Sequence, residues 1–577
     1  MRGGPHSVLV NDTTMFGRSS QGAFAPVLAL AVLGLSACDK PKPPPVSVAP
    51  QQVAPPDDLL VDGIVANPKK TWAKVLREAG PAALLLPESA AAVLSNLAGI
   101  EGTRVPIVDD ASVARLVVVG EPGSPGPLLS LLVPRGVDAA GLLFDGDVPR
   151  AAARDAGAFV LAVPKGGDTQ VLAALGSHGG QAHVLLGPST QVIERGGAFA
   201  MGGSLPCVAE PHDACARITG RAFRSLGARA VTRFQGLRGE LEKADAESRA
   251  AHGGKEPDFG DPAAILGFAD AAVSGASALL ADVGFADSTL DIDGPMVRAH
   301  AEVLPTLKPG GLADRISAMH EGPKNAALDL PFDIDAALVT HVFPDGKPEG
   351  LGKEVVDEFV RKILGTRLDD AGATTLRNLV TASMAELAAP LVVGVVKSPS
   401  YALLLSASLR KGSANSLPDN LLRVLQVPAI SGPLGIARAR ATTLDIKGAS
   451  RAGRIEIVRR DRAPKSKGPM SLELGWAIAR ERLFVAVATS SAEPLGHFVS
   501  PERSLDSEPM IHAELERLPA MVSTVLVLRP QRLDPSRVGS LAAPALLALG
   551  KRERALVVDV SVGTQVLREL LRQRSAL

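Results

Sequence analysis

Ser408-Leu409-Arg410-Lys411 has the spacing of a serine nucleophile activated by a lysine three residues on, an acyl-transfer pattern. That chemistry also needs a separate Ser-x-Asn and a Lys-Thr-Gly strand brought in by the fold. Here the neighbouring Ser413-Ala414-Asn415 lies only two residues downstream, and Lys-Thr-Gly does not occur. A pattern with two free positions arises readily in a long chain, so Ser408 and Lys411 read as a polar turn after a strand Tyr401 to Leu405.

Cys207 and Cys215 bracket a loop punctuated by Pro206 and Pro211, with His212 and Asp213 between them. A metal reading would use Cys207, His212 and Cys215, with Asp213 as an optional addition, but a structural zinc site wants four ligands and no second Cys/His pair stands nearby. Two buried thiols are a further alternative, and an even pair in an oxidising compartment reads first as one short disulfide. The pairs Asp145/Asp147, Asp291/Asp293 and Asp333/Asp335 suggest calcium, yet a loop counted from Asp291 puts Pro295 fifth and Met296 sixth, where glycine is needed. They read as turn residues. His-Glu-x-x-His, the Walker loop, Gly-x-Ser-x-Gly and Gly-x-Gly-x-x-Gly are absent, and the histidines are scattered, His497 and His512 being the pair expected to lie near each other. No cofactor, metal or catalytic residue is therefore assigned.

The remaining cysteine is Cys38. An apolar run from about Ala23 ends at Leu35-Ser36-Ala37-Cys38 and gives way to Asp39-Lys40-Pro41. Such a run is too short to span a bilayer, and small residues before a cysteine read as an export signal. Leu-Ser-Ala-Cys resembles the lipobox of bacterial lipoproteins. That resemblance implies cleavage before Cys38, diacylation of its thiol and attachment to a membrane of the bacterial cell envelope, facing the periplasm or the exterior. Asp39 suits inner-membrane retention. Asp12 fits an export signal poorly, whereas translation from Met15 would leave one cation, Arg18, ahead of the apolar core.

Composition narrows the partners. Lys+Arg and Asp+Glu are both 61, so the formal charge is zero, which does not suit a protein that neutralises many phosphates. Aromatics are 3%, with Trp72, Trp476 and Tyr401 as the Trp and Tyr residues, so stacking platforms for single strands or sugars are lacking. Nucleic acid is not expected as a partner. Hydrophobic residues reach 46%, enough for packed interiors and, at this length, more than one domain.

The expected organisation is a signal over 1–37, a Pro-rich tether over 38–58, and two lobes over 59–320 and 321–577. Thr289 to Val303 reads as a hairpin whose second arm alternates Val297, Ala299, Ala301 and Val303 with Arg298, His300 and Glu302. Val355–Leu364 and Leu376–Leu391 read as helices, and Ala263–Phe285 as an Ala-rich buried helix or helix pair. Ile193–Ser204 aligns with Ile478–Thr489, both as strand-turn-strand, and Leu84–Ala90 echoes Leu328–Ala336, suggesting a duplication. Arg454 to Lys467 is rich in cations that could meet anionic head groups, and it reads first as a solvated hairpin or loop.

A Leu-rich strand ending in Pro and an acid, the hairpin Trp476–Ser490, then Ser504-Leu505-Asp506-Ser507-Glu508-Pro509 and a helix ending at Leu518-Pro519 is similar to a broad bacterial extracytoplasmic family of unknown function. That resemblance implies an exported α+β protein without assigned chemistry. Hairpin turns and alternating strands predict an α+β fold with antiparallel sheets and helices packed on one face. The expected function is a lipid-anchored, non-catalytic binding or scaffold protein of the envelope, whose partner is an envelope protein or an apolar ligand. The competing expectation is an envelope hydrolase with groups assembled from distant segments.

Overall fold

The computed structural model describes residues 52–79, 83, 87–89, 92, 108–121, 124–140, 159–162, 172–207, 211–251, 262–341, 369–397, 401–410, 416–432, 435–459, 471–529 and 543–565. The signal and most of the tether lie outside them. The chain is an α+β protein that divides into two units, 1–216 and 217–577. The lobe boundary expected at 320/321 is displaced because the hairpin around Gly294 pairs with the last strand of the chain.

In the first unit, β1 (Leu59–Val65) leads to α1 (Pro68–Ala79), then β2 (Ala114–Glu121), β3 (Ser124–Leu132), β4 (Phe159–Ala162), β5 (Leu172–His178), β6 (Gln181–Gly187), α2 (Thr190–Gly202) and β7 (Ala214–Thr219), which runs past the unit boundary. The sheet order β1-β2-β3-β6-β5-β4 is antiparallel throughout. Gly179 and Gly180, both at positive φ, make the tight turn from β5 to β6. Asn67 Oδ1 accepts from Lys70 N–H and starts α1, whose Trp72 is buried and donates through Nε1 to Pro87 O at 3.3 Å. Ser189 caps α2 by accepting from Val192 N–H. Gly126 lets α2 approach, since a Cβ there would meet Val192 Cγ2 at 2.1 Å. Val117, Val119, Leu128, Ala174 and Leu185 then close against Ile193, Phe199 and Ala200. The hairpin expected over Ile193–Ser204 is instead this helix, so the proposed match to Ile478–Thr489 pairs a helix with a hairpin. Its apolar residues at 193, 199 and 200 bury a helical face, and Gly196 and Gly197 lie buried within the helix rather than in a turn.

The second unit begins with α3 (Gly220–Ala251) and α4 (Pro262–Ala281), then β8 (Val283–Asp293), β9 (Met296–Pro305), α5 (Leu312–Ser317), β10 (Gly322–Pro323), β11 (Ala336–Thr340), α6 (Asp370–Glu386), β12 (Leu387–Val396) and β13 (Ala402–Leu409). It continues with α7 (Leu417–Gln426), α8 (Pro428–Ser431), β14 (Ile436–Thr443), β15 (Arg451–Arg459), β16 (Ser471–Ala479), β17 (Arg482–Ala488), α9 (Ala492–Val499), α10 (Pro509–Arg517), β18 (Met521–Val522), β19 (Thr524–Leu528), β20 (Ala545–Arg552) and β21 (Ala555–Gly563). Except for the short β10–β18 pair, the strands join in one antiparallel order, β8-β9-β21-β20-β19-β11-β12-β13-β17-β16-β15-β14. The last strands of the chain are thus inserted between β9 and β19.

The hairpin read around Gly294 is present as β8–β9, and the one over Trp476–Ser490 as β16–β17, turned by Arg480 and Glu481 at positive φ. Three expectations need correction. The helix expected to reach Leu391 stops at Glu386, where the β-rich run Leu387–Val396 takes over, and Ala263–Phe285 is a helix to Ala281 followed by a strand. Several described α4 side chains are exposed or half-buried, so that helix is not an interior one. Leu328–Ala336 is a 3-10 C-cap and turn before β11, joined to Ser504 by a single bridge at Pro331, while most of Leu84–Ala90 lies outside the described residues.

Candidate apolar binding site

Antiparallel strands with one solvated face alternate apolar and polar residues. The central strands of the second unit do not: β12 reads Leu387-Ala-Ala-Pro-Leu-Val-Val-Gly-Val-Val396, and β19 Thr524-Val-Leu-Val-Leu528. One set of their side chains forms the main core. Ala337, Val339, Val392, Leu404, Ala486, Val525, Val527, Leu546 and Ala548 are buried there beneath α9 and α10, whose Leu495, Phe498, Ile511 and Leu515 close the layer.

The alternate set makes the second face. Register carries an apolar row across ten strands, Trp476–Val485–Leu405–Val393–Leu338–Leu526–Leu547–Val560–Ala299–Leu290. The row beside it runs Val487–Leu403–Val395–Ala336–Leu528–Ala545. At one end Trp476 packs with Ile478, Leu483 and Leu417 of α7, and at the other Val303 and Val558 pack with Leu312 and Ile316 of α5. Between these ends Val393, Leu338, Leu526, Leu547 and Val560 are half-buried, and Leu403 is 40% exposed. Thr340 and Thr524 interrupt the following row with hydroxyls 3.0 Å apart. A broad aliphatic surface of this kind, bounded by packed ends, can hold an apolar chain by exclusion of water alone.

The first unit gathers polar groups instead. Asp62 on β1, Arg115 on β2, Ser130 on β3 and His183 on β6 share one sheet face at the C-terminal end of α2, since Arg115 lies opposite Ser130, and His183 opposite Leu132 two residues along from Ser130. Arg115 donates from Nε and Nη2 to the two Asp62 oxygens at 2.9 and 2.8 Å, and to the Gly203 and Ser204 carbonyls that end the helix. Its guanidinium also stacks on Phe199. Ser130 Oγ and His183 Nδ1 are 3.1 Å apart. Burial, reinforced by His178, holds His183 down to about 4, so its ring is neutral at neutral pH and is a weak base toward a hydroxyl proton. The pair has the elements of a nucleophile and base, but Ser130 is only 3% exposed and Arg115 is committed to Asp62 and the helix end. The row therefore reads as a brace that satisfies the end of α2. Sequence reasoning missed it because its members sit 53 residues apart in both pairs.

The sequence-named residues fall as follows. Cys207 and Cys215 are joined, with sulfurs 1.94 Å apart, which leaves neither thiolate free for the metal reading. Cys38 and Lys411 lie outside the described residues. Ser408 belongs to β13, opposite Arg482, rather than to a turn after it. His497 lies 3.9 Å from Asp333 and His512 2.9 Å from Asp506, each beside its own carboxylate. Asp335 is buried and accepts from Lys397 N–H. Asp145 and Asp147 lie outside the described residues. Among the described residues no three His, Cys, Asp or Glu groups converge as metal ligands, and no helix is long and apolar enough to cross a membrane.

Two further polar groups stand out. His300 Nδ1 is 2.7 Å from Asp559 on the neighbouring strand, a contact that raises the imidazole above its ordinary range. Asp110 is 1% exposed with both carboxylate oxygens unpartnered, and burial pushes it up to about 6. No family model, curated protein or solved structure matches the chain.

Proposed function

We propose that the protein is a lipid-anchored extracytoplasmic binding protein of the bacterial envelope that holds the acyl chain of a lipid on the aliphatic face of its second unit. The observation that supports this reading is the ten-strand row from Trp476 to Leu290, apolar throughout and half-buried at its centre. An all-aliphatic lining suits a flexible saturated chain, which needs area rather than directional partners. Acylation of Cys38 would keep this face near a supply of such chains.

The test is direct binding of cis-parinaric acid, whose fluorescence rises in an apolar environment, together with mass spectrometry of lipid extracted from the purified full-length protein. Leu403→Gln with Leu405→Gln is expected to abolish the fluorescence gain and lower the extracted lipid at an unchanged melting point. No gain with the wild-type chain and no co-purified acyl lipid would reject the reading.

A further inference from the structure

The two ends of the second unit's sheet differ in charge. The β8–β9 hairpin holds Asp287, Asp291, Asp293 and Glu302, but Arg217 pairs with Asp287, Arg298 and Arg517 with Asp293, and Arg552 with Glu302, so this end is close to balanced. The β14–β15 hairpin holds Arg438, Arg440, Lys447, Arg451, Arg454 and Arg459 against Asp445 and Glu456. In a chain with zero formal charge, this segregation is local. Nine inter-strand steps of about 4.8 Å put roughly 43 Å of sheet between the hairpins, several Debye lengths at physiological salt. The β8–β9 end is screened from whatever the basic end meets.

The basic end is also directional. Arg451 is paired with Asp419 and Arg454 with Glu473, while Arg438 and Arg440 have no acidic group within 4.0 Å among the described residues, although Glu456 lies directly opposite Arg440 in register. They stand two positions apart on β14, on one side of the strand, and both are exposed. On the other side Ala437 and Ala441 are also exposed, and α7 reaches the strand at Ala439, whose carbonyl accepts from Gln426 Nε2. Among the described residues β14 pairs only with β15, so it is an edge strand. Charges on an edge discourage unwanted strand pairing whatever their sign. That need alone does not account for the unpaired charges on this strand being cationic.

We propose that the β14–β15 edge is a docking surface for the anionic head groups of a phospholipid bilayer. This rests on the reading of Cys38 as a lipid anchor. Acyl chains and a basic patch are the two signals that together make membrane attachment stable. Val53 N–H donates to Gly202 O and its side chain packs on the first unit's core, so the free span is residues 38–52, which at about 3.1 Å per residue when extended reach about 45 Å, far enough for the body to lie free or to dock. Register puts Arg438 and Arg440 on the face of the sheet opposite Trp476, which lies in line with Gly453 and Thr443, so docking through them brings the sheet edge to the bilayer without turning the aliphatic face onto it.

The experiment uses the full chain with Cys38→Ser, which removes the anchor, and sucrose-loaded vesicles of phosphatidylcholine with or without phosphatidylglycerol. Sedimentation with the mixed vesicles at low salt, release at high salt and no sedimentation with pure phosphatidylcholine are expected. Arg438→Ala with Arg440→Ala should weaken partitioning about thirty-fold, from about fivefold per cation. Lysine at both positions should restore it. Lys447→Glu, in the turn, supplies a second reading if the double variant folds poorly. Unchanged partitioning of the double variant or of Lys447→Glu, or equal sedimentation with both vesicle types, overturns the proposal. So does salt-sensitive self-association without vesicles that the double variant abolishes, which would make the partner a second copy. The Leu403→Gln/Leu405→Gln protein should still sediment, so failure of the lipid-binding reading and failure of docking are told apart.

Discussion

Arg115 grips both oxygens of Asp62 from the neighbouring strand, with the two side chains only 5% and 7% exposed. Removing one partner of such a pair strands a buried charge and typically costs about 3–5 kcal/mol, whereas replacing both by apolar groups of similar volume is often neutral. Asp62→Ala is expected to lower the urea midpoint severely. Asp62→Leu with Arg115→Met should recover most of the loss, though the Gly203 and Ser204 carbonyls then lose a donor. Equal damage by the single and double variants in urea titrations would show that the helix-end contacts, not the ion pair, matter most.

Two buried groups pull stability in opposite directions with pH. His183 is held at about 4, below its unfolded value of 6.5, so its contribution is full above pH 6.5 and is lost as pH falls toward 4. Asp110 is raised to about 6 from 3.8, so its folded form holds the proton more tightly and the fold is weakened as pH rises from 4 to 6. Each shift corresponds to about 3 kcal/mol. In the wild-type protein the two should partly offset each other between pH 4 and 6.5, with His341, also lowered by burial, adding to the loss on acidification. Asp110→Asn should stabilise at pH 7 and expose a steep loss on acidification, measured by urea midpoints across that range. A flat profile in the variant would contradict the assignment to His183.

These groups show what the sequence could and could not reveal. Alternation made the β9 arm legible, because Arg298 and His300 in a Val/Ala frame fit only a two-sided strand. The disulfide was legible from spacing and the α+β class from hairpin turns. The aliphatic face was hidden by its own composition: runs such as Leu391-Val392-Val393 carry no alternation, and register alone divides them between core and open face. The unit boundary was hidden because β21 returns to β9 across more than two hundred and fifty residues, as the His300–Asp559 separation of 259 shows.

Glu514 of α10 is 4% exposed and accepts from Arg298 Nε and Nη2 and from Ser561 Oγ. Those donors, Arg298 foremost, hold its carboxyl below the usual range against burial. Arg298→Leu is expected to cost about 3–5 kcal/mol by leaving the carboxylate unmatched. Glu514→Gln keeps an acceptor for Arg298 and Ser561 and should cost less. Hydrogen exchange in α10 checks the cause, since protection should fall there first if Arg298 is what docks the helix.

Cys38→Ser is expected to move the protein from the membrane to a soluble fraction, or to leave the signal uncut. Two acyl chains anchor stably where one binds only marginally. Fractionation at high salt is needed, because the basic β14–β15 edge would otherwise retain part of the unacylated protein. Membrane association of a chain whose signal has been removed, surviving both the substitution and the salt wash, would refute acylation at Cys38.

Cys207 and Cys215 close a loop with a sequence separation of 8. The chain-entropy cost removed from the unfolded state for so short a loop is about 2–3 kcal/mol. Cys215 is buried against Ile64 of β1, so the bridge ties the segment after α2 to the first strand of the sheet. Exported protein should resist thiol alkylation until reductant is added, and protein made without its signal in a reducing cytosol should label at both cysteines and melt lower. Cys207→Ala with Cys215→Ala should reproduce that lower melting point in either compartment. If the exported wild-type chain labels without reductant, the bond does not form in the compartment where the anchor would place it, and the case for export through this signal weakens with it.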